Sequence, residues 1–210
     1  MSDHLTDAFT SSPTVPATAD AVGVSAPRKN WYVGIVSNGR ELLVSDRLAH
    51  DSDLGFESYV PVQTEEREWS RGRKHIHHSI LFRAKVFIHV TESERRDILK
   101  QHVGVLRFMT NIAGKPNEFG LRPLAIIPDS QIQALRLMIE ASPEPVTVTE
   151  DFFPRGTAVR VINGPLKGLE GIIGRDSVPP FTTLYVTLNL LGSASTQIDV
   201  ADVEKIEASC

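Results

Sequence analysis

His75, His77 and His78 stand close together in RKHIHHSI, and imidazoles two residues apart on a strand could share a metal ion. No thiol or carboxylate pattern beside them completes a familiar ligand set, so solvated histidines of a hairpin are expected instead. Glu65, Glu66 and Glu68 alternate with Arg67, which is the pattern of a solvated charge run and not of a carboxylate pair. The segment GPLKGLEG has glycines and a lysine at spacings that suggest a phosphate loop, but no Gly-Lys-Ser/Thr follows it between a strand and a helix. No serine lies in a Gly-x-Ser-x-Gly elbow, and Cys210, the only cysteine, is the last residue. An internal thiol nucleophile, an intrachain disulfide and a cysteine zinc site are therefore excluded. These residues predict binding without catalysis, and no cofactor or metal.

The elements that would carry such a surface can be read from periodicity. Trp31 to Val36 is an aromatic and β-branched run expected to form a strand. A helix follows with Leu42, Leu43, Leu48 and Ala49 as its apolar stripe, and Phe56 to Val60 reads as a second strand. Glu65 to His78 lacks a core pattern and reads as an exposed hairpin or long loop. Ile80 to Val90 reads as one long strand, with Phe82, Ala84, Val86, Ile88 and Val90 on the core face. Leu81, Arg83, Lys85, Phe87 and His89 then share a wetter face, from which Phe87 should project. Thr91 and Glu94 have the spacing of a capping box for a helix through about His102, and Val105 to Met109 is another strand. Asp129 or Ser130 can cap a last helix with Ile132, Leu135, Met138 and Ile139 on one face. The order predicts an α+β sandwich with its helices mainly on one sheet face.

From Gly156 to Gly174 the chain reads GTAVRVINGPLKGLEGIIG, a strand with Val159 and Val161 on one face that is ended by Gly164-Pro165. Gly168 suits a positive φ, and Gly171 lies where the next strand needs close backbone approach. Alternation over Leu184 to Leu191 and short strands through Ile198 to Ile206 complete a small curved barrel. The stretch resembles the KOW motif.

The chain of 210 residues has room for two domains, expected at 28–141 and 153–210, with residues 142–152 as a linker. Residues 1–27, rich in Ser, Thr, Ala and Pro, are expected to be a disordered tail. The net charge of −4 is uneven, with 17 basic against 14 acidic residues from Arg28 to Glu140, and 5 against 9 from Ala141 onward. Such asymmetry suits different partners for the two halves. No run approaches the roughly 18 apolar residues of a membrane span, and no leader pattern opens the chain, so a soluble, cytoplasmic monomer is expected.

WYV, Glu41-x-x-Val44, SYVP, EWSRGRK, ILFRAKVF, HVGVLRF, IPDSQIQAL and the KOW unit follow one another in an order that resembles the NusG family over residues 30 to 207. The resemblance implies an α+β NGN domain, an antiparallel sheet with helices, followed by a small all-β SH3-like KOW barrel. It also implies a transcription elongation or antitermination factor that binds the clamp helices of the largest RNA polymerase subunit and suppresses pausing or termination. EWSRGRK, GKP and IPDSQIQALR look closest to the UpxY/RfaH-like paralogues, which act on particular long operons.

The resemblance places the polymerase surface on Phe87, Lys85, Arg83, Ile35 and Trp31. It makes Arg71, Arg73 and Lys74 of the hairpin, with Arg95, Arg96 and Lys100 of the second helix, candidates for non-template DNA phosphates; such contacts would be salt-sensitive and largely non-specific. Leu166, Leu169, Leu190 and Leu191 map onto the KOW surface that meets a small-subunit ribosomal protein or Rho, with the alternative that Leu169 and Leu190 simply fill the barrel. Two positions depart from the family. Its Phe-Pro-Gly/Asn-Tyr-x-Phe run is here Phe82-Arg83-Ala84-Lys85-Val86-Phe87, and an arginine of the KOW surface is Ser193, which argues against Rho. A housekeeping NusG and a ribosome- or RNA-associated KOW protein are the alternatives.

Overall fold

The computed structural model describes residues 27–50, 56–69, 73–101, 104–149, 156–174 and 180–206. The amino-terminal tail, Arg71 and His102 lie outside them.

The first half contains β1 (Asn30–Val36), α1 (Glu41–His50), β2 (Glu57–Tyr59), β3 (Val62–Trp69), β4 (Arg73–Ile80) and β5 (Lys85–Val90). Then follow α2 (Glu92–Lys100), β6 (Val105–Phe108), β7 (Ile126–Ile127) and α3 (Asp129–Ala141). An antiparallel sheet has the order β2-β5-β1-β6, with β7 also on β1, while β3 and β4 form a separate two-stranded hairpin. Central β1 is buried on both faces, which is why its sequence is nearly continuous in large apolar groups.

Helices cover both faces, not mainly one. Tyr32 and Val36 pack with Val86, Ile88, Val44 of α1 and Ile98 of α2, whereas Trp31, Val33 and Phe87 pack with Ile132, Leu135 and Met138 of α3. The alternating apolar residues of β1 and β5 thus serve two cores. The buried positions of α1 are Glu41, Val44 and Leu48, spaced by three and four, so Leu42 and Leu43 turn outward despite their hydrophobicity.

The expected strand from Ile80 to Val90 is interrupted. Ile80 ends β4, and residues 81–84 turn the chain into β5, with Ala84 in a left-handed conformation at φ 57. Phe82 and Ala84 consequently leave the alternation. The capping box holds: the Glu94 amide donates to Thr91 Oγ1 at 3.3 Å and the Thr91 amide to Glu94 Oε2 at 2.7 Å. Neither Asp129 nor Ser130 caps α3, whose cap position is Pro128; as the first helical residue, Asp129 instead accepts the Trp31 indole N–H at 3.0 Å.

The second half adds β8 (Thr147–Thr149), β9 (Gly156–Val161), β10 (Glu170–Gly174), β11 (Phe181–Leu188), β12 (Gly192–Asp199), a 3-10 turn and β13 (Val203–Lys205). Their antiparallel order is β13-β9-β10-β11-β12-β8. Among the described residues the two three-residue edge strands do not pair with each other, so the sheet is an open counterpart of the expected barrel. Gly168 has φ +89, and a Cβ on Gly171 would meet the Tyr185 carbonyl oxygen at 2.5 Å. Residues 147–149, expected in the linker, form β8 on β12, and Val146 beside them is buried.

Candidate functional site

The face of the first sheet that carries α3 becomes accessible toward its 81–84 end. There antiparallel register places Lys85 of β5, Ile35 of β1 and Arg107 of β6 side by side. Ile35 and Lys85 are half-buried, Arg107 and neighbouring Arg83 are exposed, and the Lys85 ammonium donates to the Arg83 carbonyl at 3.5 Å. This is an apolar side chain between two cations, beside a turn that carries a third. Ile35, Lys85 and Arg83 were expected here. Arg107 was missed, although the alternation of HVGVLRF puts it on the face opposite Phe108.

The next rung inward is closed. Val33 faces Phe87 across the strands, and Phe87 is fully buried, edge-on to Phe82 at 5.8 Å and tilted to Tyr59 at 6.2 Å. The expectation that Phe87 projects from the sheet is thereby corrected: α3 covers the face that alternation alone left wet. Trp31 is likewise buried, stacked on His89 at 4.7 Å.

Around Trp31 the structure assembles a layered cluster that the sequence did not signal. The Arg136 guanidinium of α3 lies 5.4 Å from the Trp31 ring centre and 4.7 Å from that of Tyr59. Glu57 joins the ends of the stack, with Oε1 3.4 Å from Arg136 and Oε2 2.8 Å from His89. Burial pushes the Tyr59 phenol up to about 12, partly opposed by Arg136. The contributors lie up to 105 positions apart, so no local motif marks them.

The cations of α2 are committed to partners. Arg95 makes a two-pronged bond to Glu92 at 2.7 and 2.9 Å and lies over Phe108 and Tyr32, leaving its side chain 12% exposed. Its expected place on a phosphate-binding face is corrected by that burial. Arg96 shares Glu92 and Lys100 pairs with Asp97, both at the surface. On the hairpin, Arg73 stands opposite Trp69 and Lys74 opposite Glu68. Thr64 Oγ1 and His78 Nδ1 are 3.0 Å apart. Among the described residues no cluster of three His, Cys, Asp or Glu could hold a metal, and no helix is long and apolar enough to cross a membrane.

Leu166, Leu169 and Leu191 of the second half are buried within its core, and Leu190 is half-buried in the β11–β12 turn at φ 66. Leu166, Leu169 and Leu191 therefore do not form the outward surface expected of them, whereas Leu190 stays partly accessible. Leu169 lines a cleft of about 640 Å³ against α3, and Leu190 a second of about 440 Å³ against Met109 and Ile112. The halves are also joined by hydrogen bonds. The Asn189 amide donates to Gln131 Oε1 and the Val146 amide to Gln63 Oε1, both at 2.7 Å.

An antiparallel α+β domain with a cationic sheet end is thus followed by a glycine-punctuated antiparallel β-sheet. The profile of the family described as transcription termination factor nusG matches residues 29–136, and the chain belongs to this NusG family. Its first half is accordingly an NGN domain, and its second is consistent with a KOW domain. Two solved structures are similar in outline. A structure of Thermotoga maritima NusG, concerned with domain interaction, is 20% identical, covers 86% of this chain and 98% of that one, and has a TM-score of 0.45. The MjSpt4:Spt5 complex is 15% identical, covers 85% and 97%, and has a TM-score of 0.29. No curated protein sequence matches the chain.

Proposed function

We propose that the NGN domain binds the clamp helices of the largest RNA polymerase subunit and restrains clamp opening, suppressing pausing or termination. The observation that carries this reading is the row Lys85–Ile35–Arg107 with Arg83 at its end. A half-buried aliphatic group flanked by cations suits a helical partner that offers apolar and acidic side chains together. The mechanism is an equilibrium: a ligand that prefers the closed clamp shifts the population toward it, by no more than its differential affinity. No bond is made or broken.

Specialisation for particular long operons, as in UpxY/RfaH-like paralogues, is the narrower part of the proposal. It is supported by Lys85 where the family has an aromatic residue, and by buried Ser193 where it has an arginine. Contact with non-template DNA is proposed for Arg73 and Lys74 of the hairpin, since Arg95 is occupied. Capture of core RNA polymerase by the full chain tests binding, and mapping its positions along the genome tests specialisation. Loss of capture on Arg107→Glu, with an unchanged melting temperature, is the expected result. Capture unaffected by both Arg107→Glu and Ile35→Asp would move the interface elsewhere.

A further inference from the structure

Glu41 is a buried carboxylate outside the surface described above. It opens α1 and is about 1% exposed. Its Oε1 accepts the Ala84 amide N–H at 2.6 Å, while Oε2 has no hydrogen-bond partner among the described residues. Ala84 is the left-handed residue that ends the 81–84 turn, and its carbonyl accepts from the Val36 amide at 3.0 Å. Both backbone groups of one strained residue are thus held, one by the start of α1 and the other by the end of β1. Alanine is disfavoured in this conformation because its Cβ approaches the backbone, whereas glycine is not.

Burying a carboxylate with one oxygen uncompensated costs stability, and the helix N-terminus offsets only part of that cost. An apolar side chain would pack α1 without the penalty, so the geometry calls for another reason for the carboxylate. Ala84 supplies it, since the turn sets where Arg83 emerges and where Lys85 enters its rung beside Ile35. We propose that Glu41 is a positioning residue: it holds Ala84 left-handed and thereby presents Arg83 and Lys85 to the polymerase. This role rests on the polymerase-binding function proposed above.

The test uses the full chain and purified core RNA polymerase, with affinity, melting temperature and hydrogen exchange at the Ala84 amide as readouts. Glu41→Gln keeps an acceptor and should bind within about twofold of the parent, whereas Glu41→Ala should weaken binding about tenfold or more and speed Ala84 exchange. Adding Ala84→Gly to Glu41→Ala should restore about threefold or more, because glycine adopts the turn without the anchor. Val44→Ala, which removes a buried group from the same helix, should lower the melting temperature and leave affinity unchanged. Glu41→Ala binding as tightly as the parent, or losing no more affinity than Val44→Ala at equal loss of melting temperature, overturns the role alone. A parent chain that fails to bind core polymerase overturns the function and this role together.

Discussion

Phe87 and Arg107 divide the work of one sheet face between stability and contact. Phe87 lies beneath α3 against Phe82 and Tyr59, so Phe87→Ala should cost about 3–5 kcal/mol of stability through the cavity it leaves. Thermal or denaturant unfolding checks this. Arg107→Glu lies at the exposed end and should change stability by less than about 0.5 kcal/mol. A second residue-scale expectation concerns acid. The hydrogen bonds from Arg95 hold the Glu92 carboxyl at about 2, below its ordinary 4.5, so the unfolded chain takes up the proton first as pH falls. The stabilisation is complete above about 4.5 and is lost on descent toward about 2. Glu92→Gln should therefore be less stable than the parent at neutral pH, and the difference should shrink across that window in melting curves taken at successive pH values.

Local rules held where a short stretch of sequence settles its own geometry. Thr91 and Glu94 cap α2 within four residues, and Thr91→Ala should cost about 1 kcal/mol, measurable by chemical unfolding. Gly171 was legible for the same reason, and Gly171→Ala should destabilise β10 against β11 by about 1–3 kcal/mol, because its Cβ would meet the Tyr185 carbonyl. An aromatic and β-branched run also marked β1, and alternation marked β11. It failed from Ile80 to Val90, where a perfect period of two hides a turn, because residues 81–84 answer to Glu41, 43 positions earlier. It failed again at Phe87, since a strand's pattern cannot say which face a distant helix will cover. The Trp31, Arg136 and Tyr59 stack and the row through Arg107 were unreadable for a similar reason: both depend on pairing between strands and helices far apart in the chain.

Across the whole chain, one apolar cluster runs from Trp31 and α3 into Leu169, Leu184 and Leu188 of the second sheet. An open cleft against α3, a second beside Met109 and Ile112, and a few hydrogen bonds complete the contact. The first half also holds a separate core of Tyr32, Val36, Val86, Ile88 and Ile98, so residues 28–141 are expected to fold when expressed alone. The second half needs an earlier boundary than its composition suggests. A piece beginning at 142 retains Val146 and β8 and should give dispersed NMR spectra with a higher melting temperature than one beginning at 153. Equal melting temperatures for the two pieces would show that β8 contributes nothing to the sheet.

The pairing of β8 with β12 also sets an order of events during synthesis. Thr149 meets Ser193, a residue made 44 positions later, whereas every strand of the first sheet precedes residue 128. At about 5–20 residues per second, the stretch from the end of α3 to the end of β12 takes roughly 3–12 seconds to translate. During that interval a nascent chain can hold a finished NGN domain whose α3 has not yet met its second sheet, so the covering of that helix waits until β12 has been made.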